Sequence, residues 1–415
     1  MQSTIDFINT PVVDVVNKII LDSVKAGASD IHLDHADNCL KVRIRIDGIL
    51  NDYADIPNEV KNNVITRIKI LSGMNITETR LPQDGAIKTE ISGLNLDMRV
   101  SSLPTKKGEK IVIRILDYSR SMQGIEYLFF SEENYKKILK MISAPNGIIL
   151  VTGATGSGKS TTVYSFLKKL NVKGTNLITV EDPVEMDIEG INQVQVNSDI
   201  GLDFAAVLRS ILRQDPNVIM IGEIRDSETA QIAVRASITG HLVLSTLHTN
   251  NSLTTIERLL DMEVERYLLA SALSGIVSQK LARKLCDKCK KTHETTPYEK
   301  EMFKKYLGMD IGQTYEAVGC PECSGGYKGR IAVQEVLLIS PNIRDAINSK
   351  LSKAELRELV YKDDVTTLLQ DGLYKVLAGF TTIEEIIKLI EADDEINAET
   401  KIKSKININE TQLPQ

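Results

Sequence analysis

A glycine-rich segment that follows an apolar run has the residue types and the spacing needed to hold a nucleotide phosphate. The apolar run covers residues 148–152, and the segment ends in Gly158, Lys159 and Ser160 at the start of a helical pattern. Glycines let backbone N–H groups converge on phosphate oxygens, and the helix that follows directs the positive end of its dipole at the same anion. An ordinary glycine-rich turn would leave the positions of the lysine and the hydroxyl unexplained. We therefore interpret the segment as a P-loop.

The P-loop predicts ATP and Mg²⁺ as ligands of this chain. We expect Lys159 to reach the β- and γ-phosphates and the Ser160 hydroxyl to bind Mg²⁺. The nucleotide-binding residues predicted from the motif are Gly153, Ala154, Thr155, Gly156, Ser157, Gly158, Lys159, Ser160 and Thr161.

Three further short apolar runs, at residues 178–180, 218–221 and 241–248, end in polar residues. This pattern predicts a parallel sheet with the site along its carboxyl edge. Glu223 follows the second run and is the residue expected to polarise the attacking water. Gly222 stands where P-loop enzymes usually carry an aspartate, so Mg²⁺ should depend on other oxygen ligands. Three carboxylates are candidates for contacts through water: Glu181, Asp182 and Glu185.

Two histidines lie at the two ends of the third run. His248, at its end, is placed either to sense or bind a γ-phosphate or to serve as a structural residue, and the sequence leaves both interpretations open. For His241, at its start, we favour the structural interpretation.

Four cysteines form two CxxC pairs about thirty residues apart. They are Cys286, Cys289, Cys320 and Cys323. Four thiolates at this spacing predict one tetrahedral Zn²⁺ with a structural role, because no coordination position stays open. A redox role for either pair is the alternative. The basic residues 283–291 around the first pair are either a surface for an anionic partner or solvated side chains.

Length and composition limit the class of protein. A chain of 415 residues exceeds what one hydrophobic core usually serves, so we expect two or three domains. The formal net charge of -6 argues against nucleic-acid binding through an overall basic field. The sequence starts without a signal-peptide pattern and contains no apolar run long enough to span a membrane. We therefore expect a cytoplasmic protein.

The first 115 residues or so have the pattern of a small α+β domain. Helical periodicity covers residues 10–24 and 60–71, and strand patterns cover residues 40–46, 94–101 and 111–116, with a hairpin turn predicted at Asp47 and Gly48. Its arginines are either a solvated strand face or residues that reach a nucleotide. The five arginines considered are Arg43, Arg45, Arg80, Arg99 and Arg114.

The part of the chain after the third apolar run is predicted to be mostly helical apart from the cysteine segment. Ser352 with Glu355, and Thr382 with Glu385, have the spacing of capping boxes that begin helices. The domain organisation we predict is an N-terminal α+β domain at 1–118, a linker at 119–126, a RecA-like domain at 127–395 that contains the zinc segment at 283–330, and a flexible tail at 396–415.

Several of these segments together resemble the traffic ATPases of type II secretion and type IV pilus assembly, a family that includes bacterial DNA-uptake ATPases. The matching segments are residues 28–32, 45–48, 81–85, 99–105, 181–185, 213–216, 222–226, 239–250 and 326–330, in addition to the P-loop. The resemblance implies an α/β fold with a RecA-like P-loop ATPase core, a small N-terminal α+β domain and a zinc-bearing, largely helical C-terminal region.

The resemblance also implies a function. Members are homohexameric motors on the inner face of the cell membrane, where they act through a platform protein that lifts pilin subunits. It assigns catalytic roles to Lys159, Glu185, Glu223 and His248, and it implies that Arg99 and Arg114 act on the nucleotide. Family members often carry a basic residue where this chain has Ala86, which leaves the choice of arginine finger open. The cysteine segment favours an assembly motor over a retraction motor.

Two functions of other classes remain as alternatives at this point. A zinc-bearing RecA-like core is also compatible with a hexameric nucleic-acid translocase. The acidic net charge and the lack of aromatic residues within the basic segment weigh against this function. The second alternative is a scaffold that binds ATP and scarcely hydrolyses it.

Overall fold

The computed structural model describes residues 5–116, 124–349, 351–362 and 365–391, and the chain divides into two compact units, Met1–Tyr118 and Ser119–Gln415. Residues 119–123 of the predicted linker and the whole predicted tail, residues 396–415, lie outside the described residues. Residues 124–126 of the predicted linker are described, and the last two of them begin a 3₁₀ helix at Ile125–Leu128.

The first unit is a six-stranded antiparallel sheet with two helices. Its strands are β1 Ala28–His35, β2 Cys39–Ile46, β3 Ile49–Pro57, β4 Gln83–Ile91, β5 Leu94–Thr105 and β6 Gly108–Leu116. Their order in the sheet is β3-β2-β1-β6-β5-β4. The turn predicted at Asp47 and Gly48 joins β2 to β3, and both residues have positive φ, 49° and 88°, as a tight hairpin turn requires.

The helices α1 Val12–Lys25 and α2 Asn58–Leu71 pack against the sheet of the first unit. The apolar residues of α1 recur at helical spacing and bury Val15, Val16, Ile19 and Ile20 in the core. Along β2 the apolar residues alternate with basic ones, so one side of the strand joins the same core and the other side stays polar. The fold class predicted for this unit is confirmed.

The second unit is built on a seven-stranded sheet. Its strands are β7 Gly147–Thr152, β8 Leu177–Glu181, β9 Asn192–Gln195, β10 Val218–Ile221, β11 Leu242–Leu247, β12 Leu273–Leu285 and β15 Tyr327–Leu338. Their order is β15-β12-β7-β11-β10-β8-β9. All neighbours are parallel except β12 and β15. Every residue of β7 and β11 is buried, which explains why these strands are mostly apolar in the sequence.

Helices surround this sheet. They are α3 Glu132–Ile142, α4 Lys159–Leu170, α5 Phe204–Ile211, α6 Ser227–Ile238, α7 Ser252–Asp261, α8 Arg266–Ala272, α9 Pro297–Leu307, α10 Pro341–Asn348, α11 Lys353–Lys362, α12 Leu368–Leu377 and α13 Ile383–Glu391. A separate two-stranded sheet pairs β13 Lys291–Glu294 with β14 Gln313–Glu316. In the part of the chain that the structure describes, no helix combines the length and the apolar character of a membrane span.

The region predicted to be mostly helical contains the two longest strands of the second sheet. β12 lies beside β7, the strand that leads into the P-loop, and β15 pairs with β12 over its whole length. The helical prediction holds for α7 to α13, and the Ser352–Glu355 capping box forms as expected. The side chains of the other predicted capping box, Thr382 and Glu385, bond elsewhere. The Thr382 hydroxyl pairs with the Tyr327 hydroxyl, and the Glu385 carboxylate pairs with Arg283.

Candidate functional site

The loop between β7 and α4 has the geometry of a phosphate-binding cradle. Gly153 and Gly158 begin and end its turn with φ of 147° and 87°, values that a residue with a side chain rarely adopts. Gly158 is also the N-cap residue of α4, and it has no side chain with which to accept the first N–H groups of that helix. These N–H groups therefore point at the loop as donors for an anion, as the sequence predicts.

Lys159 lies in the first turn of α4 and is nearly buried, with 9% of its surface exposed. Its ammonium group donates hydrogen bonds to the carbonyl oxygens of Gly153 (2.7 Å) and Ala154 (3.1 Å). Burial lowers the pKa of the lysine, and the negative charge of Glu223 partly opposes this effect. The lysine is thus held inside the curve of the loop, on the side where the phosphates would lie.

Glu223 and His248 come together at the carboxyl edge of the sheet, although 25 positions separate them in the numbering. The Nε2 atom of His248 is 3.2 Å from a carboxylate oxygen of Glu223, and its Nδ1 atom is 3.5 Å from Lys159 Nζ. Burial raises the pKa of Glu223, but hydrogen bonds from Arg225 and His248 and the positive charge of Arg225 outweigh burial and leave the pKa below its ordinary value. Glu223 is therefore held as a carboxylate, the form that can accept a proton from water.

Arg225 is a residue of this site to which the sequence analysis gave no role. Its guanidinium pairs with the Glu223 carboxylate and lies 3.4 Å from a carboxylate oxygen of Asp182. Half of the side chain is exposed, so the pair remains accessible to solvent. The sequence contained a signal for this role, because Arg225 is a charged residue only two positions after Glu223.

Close packing of two strands explains the glycine at position 222. A Cβ atom on Gly222 would lie 3.3 Å from both the carbonyl oxygen of Val180 and the Cα atom of Glu181, at the end of β8. The usual aspartate would therefore need the neighbouring backbone of β8 to shift by a few tenths of an ångström. The structure gives a steric reason for the absence of that aspartate.

The three candidate carboxylates after β8 lie in different surroundings. Glu181 is buried and accepts hydrogen bonds from the Tyr164 hydroxyl, the Thr179 hydroxyl (2.6 Å) and the Gln193 amide (3.1 Å). Asp182 is exposed and faces Arg225, and Glu185 is half-buried, with its backbone N–H donating to the Tyr164 hydroxyl. The bonds of Glu181 hold the strand end in place, which makes Asp182 and Glu185 the better placed of the three to approach solvent and a hydrated metal ion.

A cavity of about 430 Å³ opens beside Glu223. It is lined by Glu223, Ile224, Arg225, Leu247, His248, Arg258 and Met262.

The other histidine considered in the sequence, His241, does not reach this cavity in the contacts that the structure shows. His241 instead places its Nδ1 atom 2.9 Å from the carbonyl oxygen of Ala236, at the end of α6, which supports the structural interpretation.

In the first unit, the two arginines assigned to the nucleotide are neighbours. Arg99 on β5 lies directly opposite Arg114 on β6, and Ala86 on β4 lies opposite Arg99 on the other side. Asp30 on β1 lies opposite Arg114 in turn, and its carboxylate accepts a hydrogen bond of 3.0 Å from Arg114 Nε. One row across the sheet therefore contains two adjacent arginines and a carboxylate that holds one of them.

The three other arginines singled out in the first unit form ion pairs within that unit. Arg43 pairs with Asp34, and Arg80 pairs with Glu78 at the surface. Arg45 lies 3.8 Å from the Asp30 carboxylate. These pairs favour the interpretation of Arg43 and Arg80 as residues of a charged surface.

The four cysteines of the second unit lie together in space. Their Sγ atoms are all within 4.8 Å of one another. The Sγ–Sγ distances are 3.9 Å for Cys286 and Cys320, 3.7 Å for Cys289 and Cys323, and 3.6 Å for Cys320 and Cys323. A tetrahedral zinc with bonds of about 2.3 Å to sulfur requires edges of about 3.8 Å. The geometry therefore fits a four-thiolate zinc site.

Electrostatics favour a thiolate at Cys323 alone in this cluster, because burial raises the pKa of Cys289 to about 12 and the pKa of Cys320 is also raised. The backbone N–H of Cys320 lies 3.2 Å from Cys323 Sγ. Burial raises the pKa of Cys323, but this hydrogen bond and others outweigh it and lower the pKa to about 7. A thiolate is the form of cysteine that binds metal.

Most basic side chains around the cluster have local partners. Arg283 pairs with Glu385 and stacks on the Tyr327 ring, with 3.9 Å from its Cζ atom to the ring centre. Lys288 pairs with Glu322. Lys284 and Lys290 both pair with Asp287. The basic segment is thus largely neutralised by its own neighbours.

Comparison of the sequence with known proteins shows the family of this chain. The family model described as "Type II/IV secretion system protein" matches residues 8–388. The type II secretion system protein E of Pectobacterium carotovorum subsp. carotovorum is 43% identical over 387 residues, which cover 93% of this chain and 77% of that protein. The type IV pilus assembly ATPase PilB of Pseudomonas aeruginosa is 45% identical over 381 residues, which cover 91% of this chain and 67% of that protein.

Two solved structures show the same fold. The pilus retraction motor PilT with bound ADP is 26% identical, with a TM-score of 0.61 over 90% of this chain and 96% of that chain. The ATPase DotB of Legionella pneumophila has a TM-score of 0.70 over 95% of this chain and 99% of that chain, and its identity of 19% supports the fold alone.

Proposed function

Because this chain belongs to the family of type II/IV secretion system proteins, we propose that it is an ATP-hydrolysing motor that powers assembly of a type IV pilus or a type II secretion pseudopilus. The observation that carries the proposal is the convergence of Lys159, His248 and Glu223. A phosphate-binding lysine lies next to a carboxylate able to activate water, and one imidazole contacts both. Phosphoryl transfer needs little more than this kind of positioning and charge stabilisation.

The residues of the site take the following roles in this proposal. Backbone N–H groups of residues 153–161 bind the phosphates, and Lys159 neutralises the charge of the β- and γ-phosphates. Ser160, exposed in the first turn of α4, holds Mg²⁺ together with phosphate oxygens and water, and Asp182 and Glu185 assist through that water. Glu223 accepts the proton of the attacking water.

The partners in the proposal come from the resemblance to the family. They are five further copies of the chain in a homohexamer and a platform protein of the inner membrane, with the motor on the cytoplasmic face. Arg99 and Arg114 would act on the nucleotide. The four-cysteine site would bind structural Zn²⁺, and its presence favours an assembly motor over a retraction motor. The chain is 43% identical to a secretion protein and 45% identical to a pilus assembly ATPase, against 26% to a retraction motor. These identities also support an assembly motor.

The first experiment tests hydrolysis with purified Glu223→Gln protein. We expect turnover to fall by about 10²- to 10⁴-fold, the usual contribution of a general base, while the dissociation constant for Mg-ATP changes little. Phosphate release and binding of a fluorescent ATP analogue measure the two quantities. Glu132→Gln, which changes an exposed glutamate of α3 in the same unit, is the matched control and should hydrolyse ATP normally. Normal turnover by Glu223→Gln would contradict the assignment of the base.

The second experiment identifies the machine. The same Glu223→Gln change is placed in the chromosome, and surface filaments, protein secretion and DNA uptake are measured in one strain. Loss of filaments indicates a pilus motor, loss of secretion alone indicates a type II secretion motor, and loss of DNA uptake alone indicates a DNA-uptake pilus. Persistence of all three in a strain without a second gene of this family would contradict the proposal.

A further inference from the structure

A buried glutamine on the strand beside the P-loop bonds to the loop with both ends of its side chain. Gln279, in the middle of β12, is 1% exposed. Its Nε2 atom donates a hydrogen bond of 2.7 Å to the carbonyl oxygen of Ser157, and its Oε1 atom accepts one of 2.8 Å from the Thr162 hydroxyl in α4. One amide therefore joins the loop to the first turn of the helix that follows it.

The same residue also limits the space at both glycine ends of the loop. A Cβ atom on Gly153 would lie 2.4 Å from the backbone carbonyl oxygen of Gln279, and one on Gly158 would lie 3.1 Å from its Nε2 atom. The loop is thus packed on β12 where it begins and hydrogen-bonded to β12 where it ends. Only glycine at position 153 allows this approach, because the obstructing atom belongs to the backbone.

We infer that Gln279 is a positioning residue for ATP binding and hydrolysis, which keeps the P-loop in its phosphate-binding curvature without touching the nucleotide. The inference rests on the proposed function of the P-loop. A loop of this kind binds phosphate through N–H groups that converge on one point, and affinity depends on that arrangement being present before the ligand arrives. Removing the amide releases the Ser157 carbonyl and the Thr162 hydroxyl, so the loop gains alternative conformations that binding must then suppress.

The test compares nucleotide affinity and stability in the full-length protein. In Gln279→Leu the side chain keeps nearly the same volume and loses both hydrogen bonds. We expect the dissociation constant for fluorescent Mg-ADP to rise about 10-fold, which corresponds to about 1.4 kcal/mol. The KM for ATP should rise by a similar factor and kcat should change less, because the loop holds the α- and β-phosphates alike in the ground state and in the transition state.

Gln334 provides a matched control on the neighbouring strand. It lies directly opposite Gln279 in the pairing of β12 with β15 and is fully buried. Its amide bonds to the Leu128 carbonyl (3.0 Å) and to Lys375 (3.4 Å) instead of the P-loop. Gln334→Leu should lower the urea midpoint about as much as Gln279→Leu does, with unchanged Mg-ADP affinity. Equal loss of affinity in both variants would overturn the inference, because general loosening of the sheet would then explain it.

A second pair of variants keeps the test decisive if Gln279→Leu does not fold. Thr162→Val removes the hydroxyl that donates a hydrogen bond to Gln279, and Thr162→Ser keeps this hydroxyl. We expect Thr162→Val to weaken Mg-ADP binding several-fold and Thr162→Ser to keep wild-type binding. Where Gln279→Leu folds, the double variant Gln279→Leu, Thr162→Val should show less than the sum of the two effects. Wild-type affinity in Thr162→Val would reject the positioning role, as would wild-type affinity in folded Gln279→Leu. Failure of the wild-type protein to bind Mg-ADP would instead reject the proposed function itself.

Discussion

The imidazole of His248 lies between the ammonium group of Lys159 and the carboxylate of Glu223, with 3.5 Å from Nδ1 to Lys159 Nζ and 3.2 Å from Nε2 to the carboxylate. One neutral tautomer satisfies both contacts, because Nε2–H donates to the carboxylate while Nδ1 accepts from the ammonium. The three residues follow three neighbouring strands, β7, β11 and β10. One ring therefore connects the lysine of the P-loop to the carboxylate of Glu223.

This arrangement predicts that His248 acts on turnover more than on binding. We expect His248→Ala to lower kcat by about 10-fold or more, since Glu223 loses a group that orients it, and to change Mg-ATP affinity less. His248→Gln, which retains an N–H donor, should recover part of the rate. The control is His241→Ala, which removes a histidine bonded only to the Ala236 carbonyl in the contacts the structure shows and should keep its kcat. Unchanged kcat in His248→Ala would favour the structural interpretation of this histidine.

The cysteine geometry predicts one zinc ion per chain. Metal analysis of Cys320→Ser protein should show zinc lost, and the thermal midpoint should fall by about 5 °C or more, because a loss of about 1 kcal/mol shifts a domain of this size by about 2–4 °C. Cys39→Ser, which changes the free cysteine of the first unit, should retain the metal and the midpoint. A purified protein free of zinc, iron and other metals, with an unchanged midpoint after chelation, would contradict a structural metal site.

Glu335 predicts a dependence of stability on pH. Its carboxyl group is fully buried on β15, and burial raises its pKa above the ordinary value, although Ser252 N–H (3.0 Å) and the Tyr361 hydroxyl (3.3 Å) donate to it. Between the ordinary pKa of 4.5 and the raised pKa, the folded state binds a proton that the unfolded state has released. The free energy of unfolding therefore falls as pH rises through that interval.

The measurement for Glu335 is a series of urea midpoints from about pH 5 to about pH 8. Glu335→Gln cannot release the proton and keeps an acceptor for both donors, so its midpoint should exceed that of the wild type most clearly at the higher pH. Glu316→Gln, an exposed glutamate of β14, should follow the wild type throughout. If the urea midpoint of the wild type rises relative to that of Glu335→Gln as pH increases, the predicted direction of the pH dependence is wrong.

The arginine row of the first unit predicts a rate effect. Arg99→Ala should lower ATP turnover by about 10²-fold or more, because a cation acting on the γ-phosphate stabilises charge that spreads over its oxygens in the transition state. Arg99→Lys keeps the charge and should recover part of the rate. The control is Lys88→Ala, an exposed cation of β4 in the same unit. If Arg99→Ala hydrolyses ATP normally while Arg114→Ala does not, the finger is Arg114, the arginine held by Asp30.

Local motifs in the sequence were sufficient to predict the P-loop, the carboxylate after β10 and the four cysteines. Each depends on residues close together in the chain, where backbone geometry fixes what neighbouring side chains can reach. The apolar runs likewise predicted β7, β8, β10 and β11, because strands buried on both faces are apolar at most positions. The same reasoning found only β2, β5 and β6 in the first unit, since β1 alternates over only two large apolar residues, Ile31 and Leu33, among polar ones.

The tertiary structure decided how distant segments meet. β12 mixes polar and apolar residues, and nothing in its own sequence indicates that it pairs with the P-loop strand or that Gln279 will bond to Ser157. The place of His248 between Lys159 and Glu223, left open by the sequence, likewise follows from the order in which β10, β11 and β7 lie in the sheet. Strand pairing is set by side-chain packing across many residues of separation. Motifs can therefore name the reacting groups, but only the folded sheet fixes which of them touch.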